Sequence, residues 1–129
     1  MLDIDVVQVL MATAAAFITG AIWYSPLLFL NAWTKTVGID PNKEVDNPVK
    51  VYGLTFLFTL LAAIALAILI GPAPEFAHAS TIAFIVGVGI VASSLGINYQ
   101  FAKNSFIHWL IDSGFHIVRM QVIALVLCL

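Results

Sequence analysis

The chain has 129 residues, of which 62% are hydrophobic and only 9% are charged. Soluble domains carry about 25% charged residues, so this composition excludes an ordinary water-soluble globule and indicates an integral membrane protein. The net charge of −2 comes without any basic cluster, which excludes a nucleic-acid partner.

Four stretches are long and apolar enough to cross a bilayer as helices. A span needs about 20 apolar residues to cross roughly 30 Å of hydrocarbon. The stretches run from about 5 to 24, 51 to 71, 79 to 98 and 106 to 129. We therefore predict an all-α integral membrane protein, a single domain over residues 1–129 with four transmembrane helices in an up-down bundle surrounded by lipid.

The first span is followed by the sequence WYSPLLFLNAWTKTVG. Ser25 can cap a helix whose first residue is Pro26, because the missing N–H of proline costs nothing at that position. Gly38 can end this helix in a left-handed conformation. We predict a short interfacial helix over about 26–37 within the loop 25–50. The alternative is one long helix kinked at Pro26.

The lysines predict the orientation of the spans. Lys35, Lys43 and Lys50 lie in the first loop and Lys103 lies in the third, whereas the second loop and both termini carry no Lys or Arg. Positive residues near the ends of spans stay in the cytoplasm. We therefore expect loops one and three to be cytoplasmic and both termini to lie outside.

The fourth span carries ionisable side chains that form one stripe. At 100° per residue, Ser105, His108, Asp112, His116 and Arg119 fall within an arc of about 80°. A charged residue at the centre of a membrane helix costs about 2.5–3.5 kcal/mol to insert, so we expect this stripe to face protein or trapped water. Arg119 would reach back toward His116 and Asp112 because helix side chains point toward the N-terminus.

Polar residues of the second and third spans match this stripe in depth. Thr55, Thr59, Ser94 and Asn98 lie toward the predicted cytoplasmic ends of their spans. We predict that these four residues line a polar pocket together with the stripe, closed toward the outside by aliphatic residues.

Two roles fit the cluster formed by His108, Asp112, His116 and Arg119. It can be a structural network that fixes helix register and contacts between copies. It can also handle a proton, an ion or a substrate, since ionisable groups inside the membrane often mark pathways.

Metal and enzyme sites are not indicated. His108, Asp112 and His116 are spaced four residues apart, like metal ligands on one helix face. However, His108 and His116 are about 12 Å apart along the helix axis, so a single ion can bind two of the three and not all of them. The sequence contains no nucleophile elbow, phosphate-binding glycine loop or zinc-protease motif. We expect a non-enzymatic protein without a metal or other cofactor.

Two motifs carry a resemblance to a known family. The run Trp23, Tyr24, Ser25 and Pro26 closes the first span, and the element Asp112-x-Gly114-x-His116 lies in the last. Together they resemble an uncharacterised family of small bacterial membrane proteins, DUF1761, over nearly the whole chain. The resemblance implies a bacterial inner-membrane location and no assigned activity.

The functional expectation is a structural or accessory component of a membrane complex. So little of the chain lies outside lipid that we expect a homo-oligomer or a partnership with other membrane subunits. The alternative is a small transporter or proton-linked channel that uses the Asp/His/Arg cluster, by analogy with four-helix exporters that dimerise around one buried carboxylate.

Overall fold

The computed structural model describes residues 4–129, and within this range all regular secondary structure is helical. The five helices are α1 (Val6–Trp23), α2 (Leu30–Val37), α3 (Pro48–Ile70), α4 (Phe76–Phe101) and α5 (Phe106–Leu127). All except α2 are long and apolar enough to cross a membrane. This confirms the predicted all-α fold with four membrane-spanning helices, whereas their up-down order in a bilayer stays a prediction.

Polar side chains begin two of the long helices. The Asp5 carboxylate accepts hydrogen bonds from the backbone N–H groups of Val7 at 3.0 Å and Gln8 at 3.2 Å. The Ser105 hydroxyl accepts from the N–H of His108 at 3.1 Å. Both residues satisfy donors that have no partner within the helix, so α1 and α5 start at defined positions.

The segment after α1 differs from its prediction. The Ser25 hydroxyl does not cap a new helix but donates back to the carbonyl of Ile22 at 2.6 Å, and the chain makes turns before α2 begins at Leu30. The predicted start at Pro26 is wrong because Ser25 closes α1 instead. A single helix kinked at Pro26 is also wrong. Gly38 ends α2 with φ of 80°, as predicted, while its place at the membrane interface stays a prediction.

Helix α4 contains a π-helical segment over Ile85–Ala92. At Gly87 this segment comes so close to α5 that an added Cβ atom would lie 3.3 Å from the Cα atom of Ile117. The absence of a side chain therefore allows the wider π-helical turn to pack directly against the backbone of α5.

Helix α5 is the central helix of the bundle. Helix α1 packs against both α3 and α5, and α5 also packs against α4 along its length, whereas α3 contacts α5 little. Buried alanines permit close approach where lipid removes the hydrophobic drive for association; they are Ala12, Ala16, Ala63, Ala79, Ala83, Ala92 and Ala124. In α5, 39% of the residues in the most apolar 18-residue stretch are buried, against 17–22% in the other spans. This greater burial explains why α5 can carry ionisable residues.

Candidate functional site

The structure divides the predicted stripe on α5 into two clusters. His108 and Asp112 turn toward the ends of α1 and α4, while His116 and Arg119 turn toward a cavity beside α3. His116 therefore does not bridge Asp112 and Arg119. Arg119 reaches His116, as predicted, but not Asp112, which binds side chains of other helices instead.

Asp112 is the centre of the first group, which we call the carboxylate cluster: Asp112, His108, Tyr24 and Tyr99. Tyr24 donates its hydroxyl to Oδ1 of Asp112 at 2.5 Å, and Tyr99 donates to Oδ2 at 2.5 Å. His108 Nε2 lies 3.0 Å from Oδ2. Tyr24 follows α1 and Tyr99 belongs to α4, so one carboxylate connects three helices.

Aromatic rings enclose the carboxylate cluster. The ring of Tyr99 lies 4.9 Å from that of His108, and Trp33 of α2 contacts His108 edge-on at 5.8 Å between centroids. Tyr24 and Trp33 also meet edge-on at 5.9 Å. Asp112 is 8% exposed and His108 is 9% exposed, so short hydrogen bonds replace water around the acid.

Arg119 and His116 form the second group, the guanidinium cluster. Arg119 donates from Nε to Nδ1 of His116 at 2.8 Å. A ring nitrogen that accepts carries no proton, so His116 is neutral in this arrangement and its Nε2 is the donor. Arg119 Nη1 is buried and has no hydrogen-bond acceptor among residues 4–129.

The guanidinium cluster lines a cavity of about 840 Å³ between α1, α3 and α5. The cavity exists because α3 packs along α1 but contacts α5 little. Five of its twelve lining residues carry large aromatic rings: Phe17, Tyr24, Tyr52, Phe58 and Phe115.

Two of the four predicted pocket residues line this cavity. Thr55 and Thr59 do so, and their hydroxyls donate at 2.7 Å to the carbonyls of Val51 and Thr55. Because those hydrogens are engaged, the threonines offer the cavity acceptor lone pairs rather than donors.

The prediction was wrong for Ser94 and Asn98. Both lie on an exposed side of α4 and do not line the cavity, and the Ser94 hydroxyl donates to the carbonyl of Ile90 in its own helix. Depth along the helix had been the only criterion, and depth does not determine which face of α4 meets α5.

A second, smaller cavity of about 350 Å³ lies on the other side of the carboxylate cluster. It is lined in part by Tyr99, Ser105 and Trp109, whereas Tyr24 lines the larger cavity. The two tyrosines that bind Asp112 thus face different cavities.

The run Trp23 to Pro26 attaches α1 to α5. The Trp23 indole donates to the carbonyl of Ile111 at 3.0 Å and packs on Gly114, where an added Cβ atom would lie 3.1 Å from the ring. Tyr24 binds Asp112. Ser25 closes α1, and Pro26 lies exposed in the following turn.

Sequence reasoning missed the roles of Tyr24, Tyr99 and Trp109. None of the three was predicted to contact the stripe on α5, yet the tyrosines bind Asp112. The Trp109 indole donates to the carbonyl of Ala92 at 2.9 Å and packs against Gly96. These aromatic residues lie at about the same depth in the predicted spans as Asp112, and this shared depth was the signal that could have indicated a contact.

Within residues 4–129, no three His, Cys, Asp or Glu side chains are close enough to share a metal ion. Four apolar helices with an internal polar site define the chain as a multi-pass α-helical membrane protein.

The chain belongs to the family described as protein of unknown function DUF1761, which matches residues 7–128. No curated protein and no solved structure matches this chain.

Proposed function

We propose that this protein is a small transporter whose substrate occupies the cavity between α1, α3 and α5. The observation that supports this proposal is the combination of cavity size and lining. Ligand sites commonly measure about 300–1,000 Å³, with mostly apolar walls and a few polar groups that fix orientation. The cavity of about 840 Å³, with aromatic walls and the guanidinium cluster on one side, has these properties.

The helix contacts support a route for substrate entry. The carboxylate cluster connects α1, α4 and α5, so these helices form one unit. Helix α3 is held mainly by α1 and contacts α5 little. In this proposal α3 moves relative to the other three helices and widens the cavity while the carboxylate cluster stays intact.

The proposed location is the bacterial inner membrane, with both termini outside the cytoplasm. Membership of the family and the four apolar helices support a multi-pass membrane protein. The lysines of the first and third loops support the orientation. We propose binding and transport without catalysis.

Flux into liposomes tests the transporter proposal. Purified protein is reconstituted into liposomes, and the uptake of two radiolabelled probes, decanesulfonate and decyltrimethylammonium, is measured. Both probes carry a permanent charge and cross bare lipid slowly. We expect protein-dependent uptake of at least one probe.

A cavity-filling variant provides the matched comparison. Ala21 is exposed and lines the cavity, while Ala14 is exposed on the same helix and does not line it. Ala21→Phe should abolish uptake and Ala14→Phe should preserve it. If neither probe is taken up, or if the two variants behave alike, the transporter proposal is wrong.

A second candidate is the accessory role expected from the sequence. The specific observation in its favour is that this chain's own side chains engage both oxygens of Asp112, as in a purely structural network. In that case the protein would co-purify from native membranes with other copies or with a fixed membrane subunit, and liposomes would show no flux.

A further inference from the structure

The larger cavity contains the positive charge of Arg119, which no group within residues 4–129 neutralises. Arg119 lines the cavity, and among residues 4–129 no carboxylate oxygen lies within 4.0 Å of its guanidinium. Its only hydrogen bond in that range goes to His116, which is neutral because it accepts through Nδ1. Asp112 does not neutralise Arg119, because its two oxygens bind Tyr24, Tyr99 and His108 instead.

An unpaired guanidinium is costly inside a membrane protein. The free-energy cost of removing a cation from water is offset only when an opposite charge and further hydrogen bonds replace the water. Arg119 is the only arginine of the chain and lies slightly beyond the middle of α5. An anion bound in the cavity would supply the missing charge.

The remaining wall indicates what else that anion must carry. Apart from the guanidinium cluster and the two threonines, the cavity surface is formed by aromatic rings and small apolar residues. Phe17 also packs on Phe56, with 5.8 Å between the ring centroids. An inorganic ion would leave these rings without contacts, whereas an apolar body would fill the space.

We propose that the ligand of this cavity is an amphipathic organic anion. Its single carboxylate or sulfonate head binds Arg119 and the Nε2 donor of His116, and its apolar tail packs among Phe17, Phe58 and Phe115. Phospholipid headgroups stay at the membrane surface, so the occupant is a free anion and not a membrane lipid. This inference names the substrate class for the proposed transport site, but binding is measured separately from flux.

Equilibrium binding tests the inference. Purified protein in an uncharged maltoside detergent is titrated with three probes of equal chain length: decanesulfonate, decyltrimethylammonium and decanol. Decanesulfonate should bind about tenfold or more tightly than the other two. Arg119→Gln should abolish this preference, because the charge that pairs with the head is gone. Arg119→Lys should retain part of it, because lysine keeps the charge but lacks the planar set of donors.

Two further variants control the result. Lys35→Gln removes one positive charge from an exposed position on α2 and should leave binding unchanged. Ala21→Phe keeps Arg119 and His116 and should weaken decanesulfonate binding by occluding the cavity. This variant therefore tests the site even if Arg119→Gln fails to fold.

Equal affinity for the three probes, or equal decanesulfonate affinity in wild type and Ala21→Phe, would overturn the inference. Displacement of decanesulfonate by phosphatidylglycerol in nanodiscs would also overturn it, because the occupant would then be a lipid. Anion binding without flux would refute transport alone. Flux of the cationic probe without anion binding would refute only the inference that the ligand is an anion, and the transporter proposal would stand.

Discussion

Asp112 shows why an acid can persist inside a membrane helix. Two tyrosine hydroxyls and an imidazole surround its carboxylate, so each oxygen exchanges water for a donor from the protein. Hydrogen bonds between membrane helices contribute about 0.6 kcal/mol on average, and bonds to a charged group are stronger, at about 1.5–3 kcal/mol. The carboxylate cluster should therefore contribute measurably to stability.

Removal of one tyrosine hydroxyl tests this contribution. Tyr24→Phe or Tyr99→Phe should lower the free energy of unfolding by about 1–2 kcal/mol, because the Asp112 carboxylate loses one hydroxyl donor. The measurement is reversible unfolding of the detergent-solubilised protein.

Tyr52→Phe is the matched control. The Tyr52 hydroxyl makes no hydrogen bond within residues 4–129 and its side chain is half-exposed, so this variant should unfold like wild type. Equal stability of all three variants would mean that the tyrosines do not stabilise the acid.

At the scale of the helices, two tryptophans fix how α5 meets its neighbours. Trp23 packs against Gly114 of α5, and Trp109 of α5 packs against Gly96 of α4. Each indole N–H also donates to a carbonyl of the opposing helix. Because the rings are tied by hydrogen bonds, they cannot move aside for a larger residue.

Glycine substitutions should reveal this packing. In Gly114→Ala the new methyl group would lie 3.1 Å from the Trp23 ring, and overpacking of this kind costs about 1–3 kcal/mol of unfolding free energy. In Gly53→Ala in α3, the new methyl group meets no atom of residues 4–129 within 4 Å, and the variant should be neutral or stabilising by up to about 1 kcal/mol. If both variants lost the same stability in thermal unfolding, the close contact at Gly114 would be wrong.

The sequence predicts the spans well and the site only in part. Long apolar runs identify α1, α3, α4 and α5 without any tertiary information. The stripe on α5 follows from helical periodicity alone. The partners of Asp112 do not, since they depend on which end of α1 and which face of α4 pack on α5. The error at Ser94 has the same cause, because Ser94 lies on a face of α4 away from the cavity. The error at Ser25 is local, because its hydroxyl closes α1.

For the whole molecule, the lysine distribution predicts sidedness, which labelling can test. In a Cys128→Ser background, Asn42→Cys in the first loop should react with a membrane-impermeant maleimide only from the cytoplasmic side. Glu75→Cys, in the loop between α3 and α4, should react only from outside. Reversed labelling of the two positions would invert the proposed orientation.

The account as a whole depends on the cavity between α1, α3 and α5 holding an anion at Arg119. The most direct measurement is a crystal structure with 10-bromodecanesulfonate, in which anomalous scattering locates the bromine. We expect the sulfonate within hydrogen-bonding distance of Arg119 and the bromine among the aromatic side chains of α1 and α3. Bromine density only on the outer surface of the helices, with the cavity empty or filled by another helix, would contradict the account.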